Sequence, residues 1–312
     1  MDISVIIVTR NTCSVTLEAI ESVCQSKDSF SKEVIVVDNG STDDTSRLIS
    51  KMYPSVKYED AGVNLGFSKA NNRGARHASG DLLLLLNSDA RLQRESLVKA
   101  VDYLRNHLDC GVVGAQLLNA DGTLQNSIAN FPTLATELLN KSMLRRLFPS
   151  RYPGKEQKFD HATDVESVVG AFLLTRRSLW EKLGGLDERY FFFLEETDYC
   201  LQARRLGFRI VHLPEVLVWH GQGQTARQTH IRARVEYWRS RYTYFRKNIG
   251  PGTTLLLRMG LLVRLGGNVV ANGLVSILTI GLVKRPRLKF SEQAALFSWH
   301  LRGCPKEAGL PK

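Results

Sequence analysis

Five successive leucines at positions 82–86, running straight into Asn87-Ser88-Asp89, constrain this chain more than any other feature. A strand with one face in water alternates apolar and polar residues, so an unbroken apolar run must be covered on both sides. Further short runs at 3–8, 33–37 and 56–59 also read as strands. The stretches between and after them carry helical periodicity, at 14–26, 43–51, 68–78 and 94–107. The first of these places Leu17, Ile20, Val23 and Cys24 on one face, and Ser41-Thr42-Asp43-Asp44 resembles a capping box with Ser41 as the cap. Strand and helix in alternation predict an α/β fold, Rossmann-like, with a mostly parallel central sheet flanked by helices. Such sheets bind ligands beyond the carboxyl ends of their strands. Asp38 and Asp89 both sit at such ends, which argues for a shared site.

From Gly111 the alternation weakens. Segments 112–118 and 124–126 flank Asn119-Ala120-Asp121-Gly122, a turn signal that predicts a hairpin. Residues 140–163 are basic, proline-bearing and poorly periodic, and read as a mobile loop. A strand is expected at 165–175, then a short helix at 177–183 stopped by Gly184-Gly185. A helix at 196–206 ends at Gly207, and strands follow at 209–213 and 216–219, with His220 just past the second.

Charge divides the chain. Residues 1–226 carry 26 Lys+Arg against 28 Asp+Glu, a net of −2, whereas residues 227–312 carry 16 against 3, a net of +13. The first part therefore reads as a catalytic domain and the second as a basic, partly apolar helical extension. A local basic field implies an anionic partner, phospholipid or nucleic acid. Residues 227–248 form a basic helical pattern with interleaved aromatics. Residues 265–283 bear no charge but contain several glycines, Asn268 and Asn272, and the run is at the lower limit for crossing a bilayer. An interfacial helical segment is favoured over a spanning one. The five cysteines show no CxxC spacing, which fits a reducing compartment. Residues 3–8 follow Asp2 with no basic flank, so they read as a buried strand and not a leader.

Three acidic groups carry the chemistry. Asp38 offers a carboxylate to a nucleobase imide N–H, with Thr9-Arg10-Asn11 beside it. Taken alone it fits equally a turn residue before Asn39-Gly40. Asn87 and Asp89 supply an amide and a carboxylate, hard ligands for magnesium or manganese that leave positions open for phosphate oxygens. The plainer reading is a strand-to-loop turn. Glu195-Glu196-Thr197-Asp198 stands where a loop meets a helix, and acids in a first turn are favoured by the helix dipole. Aromatic residues 190–193 precede it, however, and a carboxylate against apolar walls has its pKa raised, which suits a general base. His220 reads singly as a core histidine, or as a nitrogen donor to a metal or diphosphate.

In order, these pieces resemble the family 2, GT-A fold, inverting glycosyltransferases, and most closely the rhamnosyltransferase-like bacterial members that build cell-surface polysaccharide. Ser4-Val5-Ile6-Ile7-Val8-Thr9 and Val36-Val37-Asp38-Asn39-Gly40-Ser41-Thr42-Asp43 are similar to that family's nucleotide-binding opening. Asn64-Leu65-Gly66-Phe67 and Asn71-Asn72-Arg73-Gly74 resemble its donor loop, and Gly80-Asp81 through Asn87-Ser88-Asp89 its metal segment. Gly170-Ala171 and Gly184-Gly185-Leu186-Asp187-Glu188 resemble the border of the acceptor site. Residues 195–200 resemble the helix bearing the catalytic acid, and His220-Gly221-Gln222-Gly223-Gln224-Thr225 the closing loop on the metal side. The resemblance implies donor contacts from Thr9, Asp38, Asn64, Gly66, Asn72, Arg73 and Ser88, and acceptor-side roles for Gly170, Ala171 and Asp198. It implies metal ligation by Asp89, Asn87 and His220. Two departures stand out. Asn87 replaces the family's frequent first Asp, which weakens the metal site, and Glu195-Glu196 stands where Glu-Asp is common. Alignment puts Glu196 at the base position, with Glu195 a second candidate.

The reading is a metal-dependent enzyme using Mg2+ or Mn2+. It moves a sugar, with dTDP-rhamnose the leading donor, from a nucleoside diphosphate to a lipid-linked glycan acceptor. It would act on the cytoplasmic face of the membrane, held peripherally through an anionic surface. Nucleic acid is the competing partner for the basic quarter, but no nucleic-acid module is present. That quarter also suits a packed subdomain in a homodimer. A sugar nucleotidyltransferase should carry a glycine-rich loop after the first strand, where Thr9-Arg10-Asn11-Thr12 has none. A dehydrogenase should carry GxGxxG, which is absent.

Overall fold

The computed structural model describes residues 1–27, 29–149, 158–221, 230–279 and 282–310. They form two compact units: one from the described residues of 1–131 and 158–221, the other from those of 132–149 and 230–310.

The first unit begins with β1 (Ile3–Thr9), α1 (Cys13–Cys24), β2 (Lys32–Asp38), α2 (Thr45–Met52), β3 (Lys57–Asp60), α3 (Phe67–Arg76) and β4 (Leu82–Asn87). It continues through β5 (Ala90–Leu92), α4 (Ser96–Asn106), β6 (Cys110–Leu118) and β7 (Ile128–Ala129). The second unit then takes α5 (Leu134–Leu138) and α6 (Lys141–Leu147) before the chain returns through β8 (Thr163–Asp164), β9 (Ser167–Val168) and β10 (Phe172–Arg176). Helices α7 (Arg177–Leu183) and α8 (Glu195–Arg205) and the long β11 (Arg209–His220) complete the first unit.

Its main sheet runs β3-β2-β1-β4-β10-β6-β11-β5, with β8 also paired to β11. Strands β1 to β4 and the β6–β11 pair are parallel, while β10 runs antiparallel between β4 and β6. The leucine run lies near the middle. Leu82, Leu84 and Leu86 face α1 and α4, in a core with Ile20, Val23, Leu97 and Val101. Leu83 and Leu85 face the other way, in a core with Ala70, Trp180 and Tyr199. Each buried leucine contributes about 1.5–3 kcal/mol of apolar burial, so no position in the run tolerates a polar residue.

Register then builds the site. Thr9 pairs with Asp38 and Val8 with Asn87, which aligns three strand ends on one sheet edge. Because β10 is antiparallel, its leading residues Gly170 and Ala171 reach the same edge, and the Asn87 N–H donates to the Ala171 carbonyl at 3.1 Å.

Several expected elements differ. The single strand at 165–175 is two strands, β9 pairing with β7 in a separate small sheet and β10 joining the main one. The two strands expected within 209–219 are one strand whose register against β6 slips between Leu213 and Leu217. Pro214 lies in that interval and has no N–H to give the ladder. The hairpin expected around 119–122 contracts to one bridge, Leu118 with Leu124, closed by Gly122 at φ +81°. Ser41 does not cap α2. Its hydroxyl accepts from Asn11 N at 2.9 Å and its N–H donates to Asp38, while Asp44 holds the N-cap position with its side chain turned to Arg47 and not to the helix N–H groups. Residues 141–147, read as part of the mobile loop 140–163, are helical, as are 134–138, with Thr133 and Asn140 accepting from first-turn N–H groups of α5 and α6. Residues 150–157 of that loop, Gln222 to Thr225 and the expected division at 226 lie outside the described residues.

The second unit adds α9 (His230–Asn248), α10 (Pro251–Leu278) and α11 (Lys284–Leu301). Leu257, Leu261 and Leu265 bury one stripe of α10, and Trp299, Tyr244 and Phe245 are also buried. A buried ion pair joins Arg241 to Glu137 at 2.7 Å. The glycines of α10 permit close packing: Gly266 lies against Phe297 and Gly273 against Phe290, both on α11. Asn272 donates to the Asn268 carbonyl and to Gln293. The opposite stripe of α10 is bare, with Leu256, Val263, Val270, Leu274, Ile277 and Leu278 between 56% and 82% exposed.

Candidate active site

The candidate site begins where β1 and β2 end. Asp38 is buried, and its two oxygens accept from Ser41 N at 2.7 Å and from the Tyr58 hydroxyl at 2.5 Å. Burial and that carboxylate together push the Tyr58 phenol well above its ordinary pKa, so Tyr58 stays a donor. The Thr9 hydroxyl joins a buried cluster with Thr12 and Thr16, at 3.0 and 2.8 Å, and Thr12 reaches Ser88 at 3.3 Å. Asn11, at φ +51°, accepts from Thr42 N and so ties the two loops together.

The segment from Asn64 to Phe67 meets the aromatic stretch before α8. Asn64 accepts from Gly66 N at 3.1 Å, Asn39 donates to the Gly66 carbonyl, and Phe67 N donates to the Phe191 carbonyl at 2.8 Å. Gly66 sits at φ +80°, and a Cβ there would lie 2.5 Å from the Phe191 carbonyl oxygen, so only glycine fits. Two residues expected on the donor are occupied elsewhere. Asn72 bonds both the N–H and the carbonyl of Leu186, and Glu188 as well, holding the turn after α7. Arg73 is ion-paired with Glu59.

At the carboxyl end of β4, Asn87, Ser88 and Asp89 are all half-buried. Strand β5, which carries no strong sequence signal, pairs with the end of β11 so that His220 opposes Ala90. This brings His220 Nε2 to 3.4 Å from Asp89 Oδ1 and 3.3 Å from Asn87 Nδ2. Burial lowers the His220 pKa, against the opposing pull of Asp89, so the ring is neutral and carries a lone pair. Among the described residues no three of His, Cys, Asp or Glu gather at one point. The available metal donors are Asp89 and His220 with the Asn87 amide, a mixed O/N set that fits a hard divalent cation.

Helix α8 starts under backbone constraint. Phe193 and Leu194 both have positive φ, at +74° and +68°. Each such residue costs roughly 1–3 kcal/mol, and such conformations cluster at functional sites. The turn separates the two glutamates: Glu195 is buried, while Glu196 is half-buried. Glu196 lies beside Gly170, where an added Cβ would sit 3.6 Å from its Cβ and Cγ. Asp198 is buried and accepts from the Tyr190 hydroxyl at 3.2 Å. Gly170 and Ala171 thus join Glu196 to the main chain of Asn87, and the turn after β4 and the start of α8 share one edge.

Residues 4–184 match the family described as "Glycosyl transferase family 2". The chain belongs to that family. Its family 2 relatives include an N-acetylglucosaminyl-diphospho-decaprenol L-rhamnosyltransferase of Mycobacterium tuberculosis, 27% identical over 60% of this chain and 66% of the relative. A low-salt glycan biosynthesis hexosyltransferase of Haloferax volcanii, Agl10, is 28% identical over 61% of this chain and 59% of its own length. Both alignments span less than two-thirds of the relative. The family 2 chain also shares the GT-A fold of the Pyrobaculum calidifontis mannosyltransferase solved with GDP-Man and Mn2+. That likeness has a TM-score of 0.57 at 18% identity and covers 98% of this chain and 87% of the other.

Tyr58, Phe191 and Gln125 carry no sequence signal for this candidate site. Tyr58 falls in a short strand with no apolar alternation, Phe191 acts through its carbonyl, and Gln125, whose side-chain oxygen lies 2.7 Å from His220 Nδ1, is 95 residues from that partner.

Proposed function

We propose that this protein transfers a sugar from a nucleoside diphosphate donor to an acceptor hydroxyl with inversion at the anomeric carbon. The observation that carries the reading is the contrast between Glu195, buried, and Glu196, which lies at the sheet edge against Gly170. The Glu196 carboxylate takes the proton of the acceptor O–H. The acceptor oxygen forms its bond to the anomeric carbon as the opposite C–O bond breaks, and the electron pair leaves on the diphosphate. Asp38 accepts the imide N–H of the base, with Tyr58 and Ser41 fixing its carboxylate. Asp89, His220 and Asn87 would hold Mg2+ or Mn2+, which would supply positive charge against the departing diphosphate. The Mn2+ in the mannosyltransferase structure supports a divalent ion.

The mycobacterial relative, a rhamnosyltransferase named for N-acetylglucosaminyl-diphospho-decaprenol, supports rhamnose as the sugar, with dTDP-rhamnose the leading donor, and a glycan on a polyprenyl diphosphate as acceptor. The bare apolar stripe of α10 supports a lipid surface as the second unit's partner, over nucleic acid. Helix α10 has 28 residues and is long and apolar enough to cross a membrane, but its packed stripe and glycine contacts favour lying along the interface. Basic residues near an anionic cytoplasmic leaflet contribute about 1 kcal/mol each, so charge recruits and the stripe anchors.

A donor panel reading nucleoside diphosphate release against polyprenyl-linked acceptors tests the proposal, with and without EDTA. Metal-dependent release with one sugar nucleotide supports it. Turnover indifferent to EDTA removes the metal assignment, and release with no donor removes the activity.

A further inference from the structure

We propose that Gln125 positions His220 by holding its ring as the Nδ1–H tautomer, so that the Nε2 lone pair faces Asp89 and Asn87. The inference rests on the reading of that cluster as a divalent-cation site.

The main-chain carbonyl of His220 can only accept, and it lies 3.1 Å from one end of the Gln125 amide. That end is therefore the NH2, which also donates to Asn119 Oδ1 at 3.0 Å. The other end must be the carbonyl oxygen, and it lies 2.7 Å from His220 Nδ1. An amide oxygen accepts only, so Nδ1 carries the hydrogen and the lone pair of the neutral ring falls on Nε2. Nε2 is the atom that faces Asp89 Oδ1 and Asn87 Nδ2.

Gln125 is itself held on every side. Its side chain is buried, its N–H donates to the Leu117 carbonyl at 2.8 Å, and its carbonyl accepts from Gln116 and Ser127. The turn of residues 119–123, closed by Asn119 and Asp121 on Thr123, sets where this strand-like segment starts. The turn thus delivers a single amide to the imidazole. A partner that fixes the tautomer and orientation of a ligating histidine typically changes metal affinity 10–100-fold when lost.

The test compares wild type with Gln125→Met, which keeps the volume and loses the acceptor, and with Gln125→Glu, which keeps an acceptor facing Nδ1. Long-range 1H–15N correlation of the histidine rings reads the tautomer directly, and Mn2+ titration by electron paramagnetic resonance reads affinity for the ion alone. Wild type and Gln125→Glu should show His220 protonated at Nδ1. Gln125→Met should populate the Nε2–H form, lose Mn2+ affinity 10–100-fold, and bind it less tightly than Gln125→Glu. The proposal is overturned if folded Gln125→Met keeps the wild-type tautomer and Mn2+ affinity, or if wild-type His220 carries its hydrogen on Nε2. Wild type that binds no Mn2+ while its tautomer responds to Gln125→Met would remove the metal reading and leave the positioning intact.

Discussion

The N–H of Asn87 donates to the carbonyl of Ala171, so the end of the leucine strand is stitched to the residue beside Gly170, against which Glu196 lies. Strand β10 runs antiparallel between β4 and β6 and is what makes this possible. A parallel strand in its place would put residues 170 and 171 at the far edge of the sheet.

Glu196→Gln keeps shape and loses basicity, so transfer should fall by about 10²–10⁴-fold with donor affinity unchanged. Glu195→Gln, in a buried position, should act mainly on folding of the α8 start. Single-turnover rates with calorimetric donor binding separate the two. A dead Glu195→Gln beside an active Glu196→Gln would exchange their roles.

Asp38→Ala should weaken both the donor and the free nucleoside diphosphate, since both present the imide. Tyr58→Phe removes one of the two bonds that orient Asp38 and should weaken both ligands by a smaller factor, on the order of 1 kcal/mol. Equal affinity of wild type and Asp38→Ala in calorimetry would return Asp38 to an ordinary turn role.

Glu33 is the pH-sensitive clasp of the first unit. Burial alone would raise its pKa, but Lys57 at 2.6 Å and bonds from Ser4 and Ser79 outweigh it and bring it to about 2. A depressed carboxylate stabilises the fold above its unfolded pKa, and that stability is lost as pH falls from about 4.5 towards 2. Glu33→Gln should therefore destabilise the protein at pH 7, by on the order of 1–2 kcal/mol after discounting for the half-exposed Lys57. Denaturant melts at pH 7 and pH 3 should show that difference shrinking.

Placing lysines at Val263 and Val270 puts charge in the bare stripe of α10, where both residues are over 60% exposed. Monomer stability should hardly change, because neither packs inside the unit. Sedimentation with anionic vesicles should show partition falling several-fold, most clearly at high salt where the apolar contribution remains. Wild-type protein that stays in the supernatant at low salt would sink the membrane reading.

Much of the fold is written locally. An unbroken leucine run has to be covered on both faces, and alternation of such runs with amphipathic helices leads to a mostly parallel sheet. The same local patterns single out Asp38 and Asp89 beside strand ends, and Glu196 in the first turn of a helix, as candidates, because each borders a local element. What the tertiary structure decided depends on residues far apart in sequence. Strand β5 has three residues and no periodicity, yet its pairing with β11 sets His220 beside Asp89. Asn72 and Arg73 lie in a donor-like motif, but Leu186 and Glu59, reached only on folding, claim their polar groups. Glu195 and Glu196 are neighbours with the same side chain, yet packing buries the first and leaves the second half-buried beside Gly170. Local patterns fix which faces must be buried. Which polar atom meets which is fixed by register and packing between segments, and adjacent residues carry no signal of that.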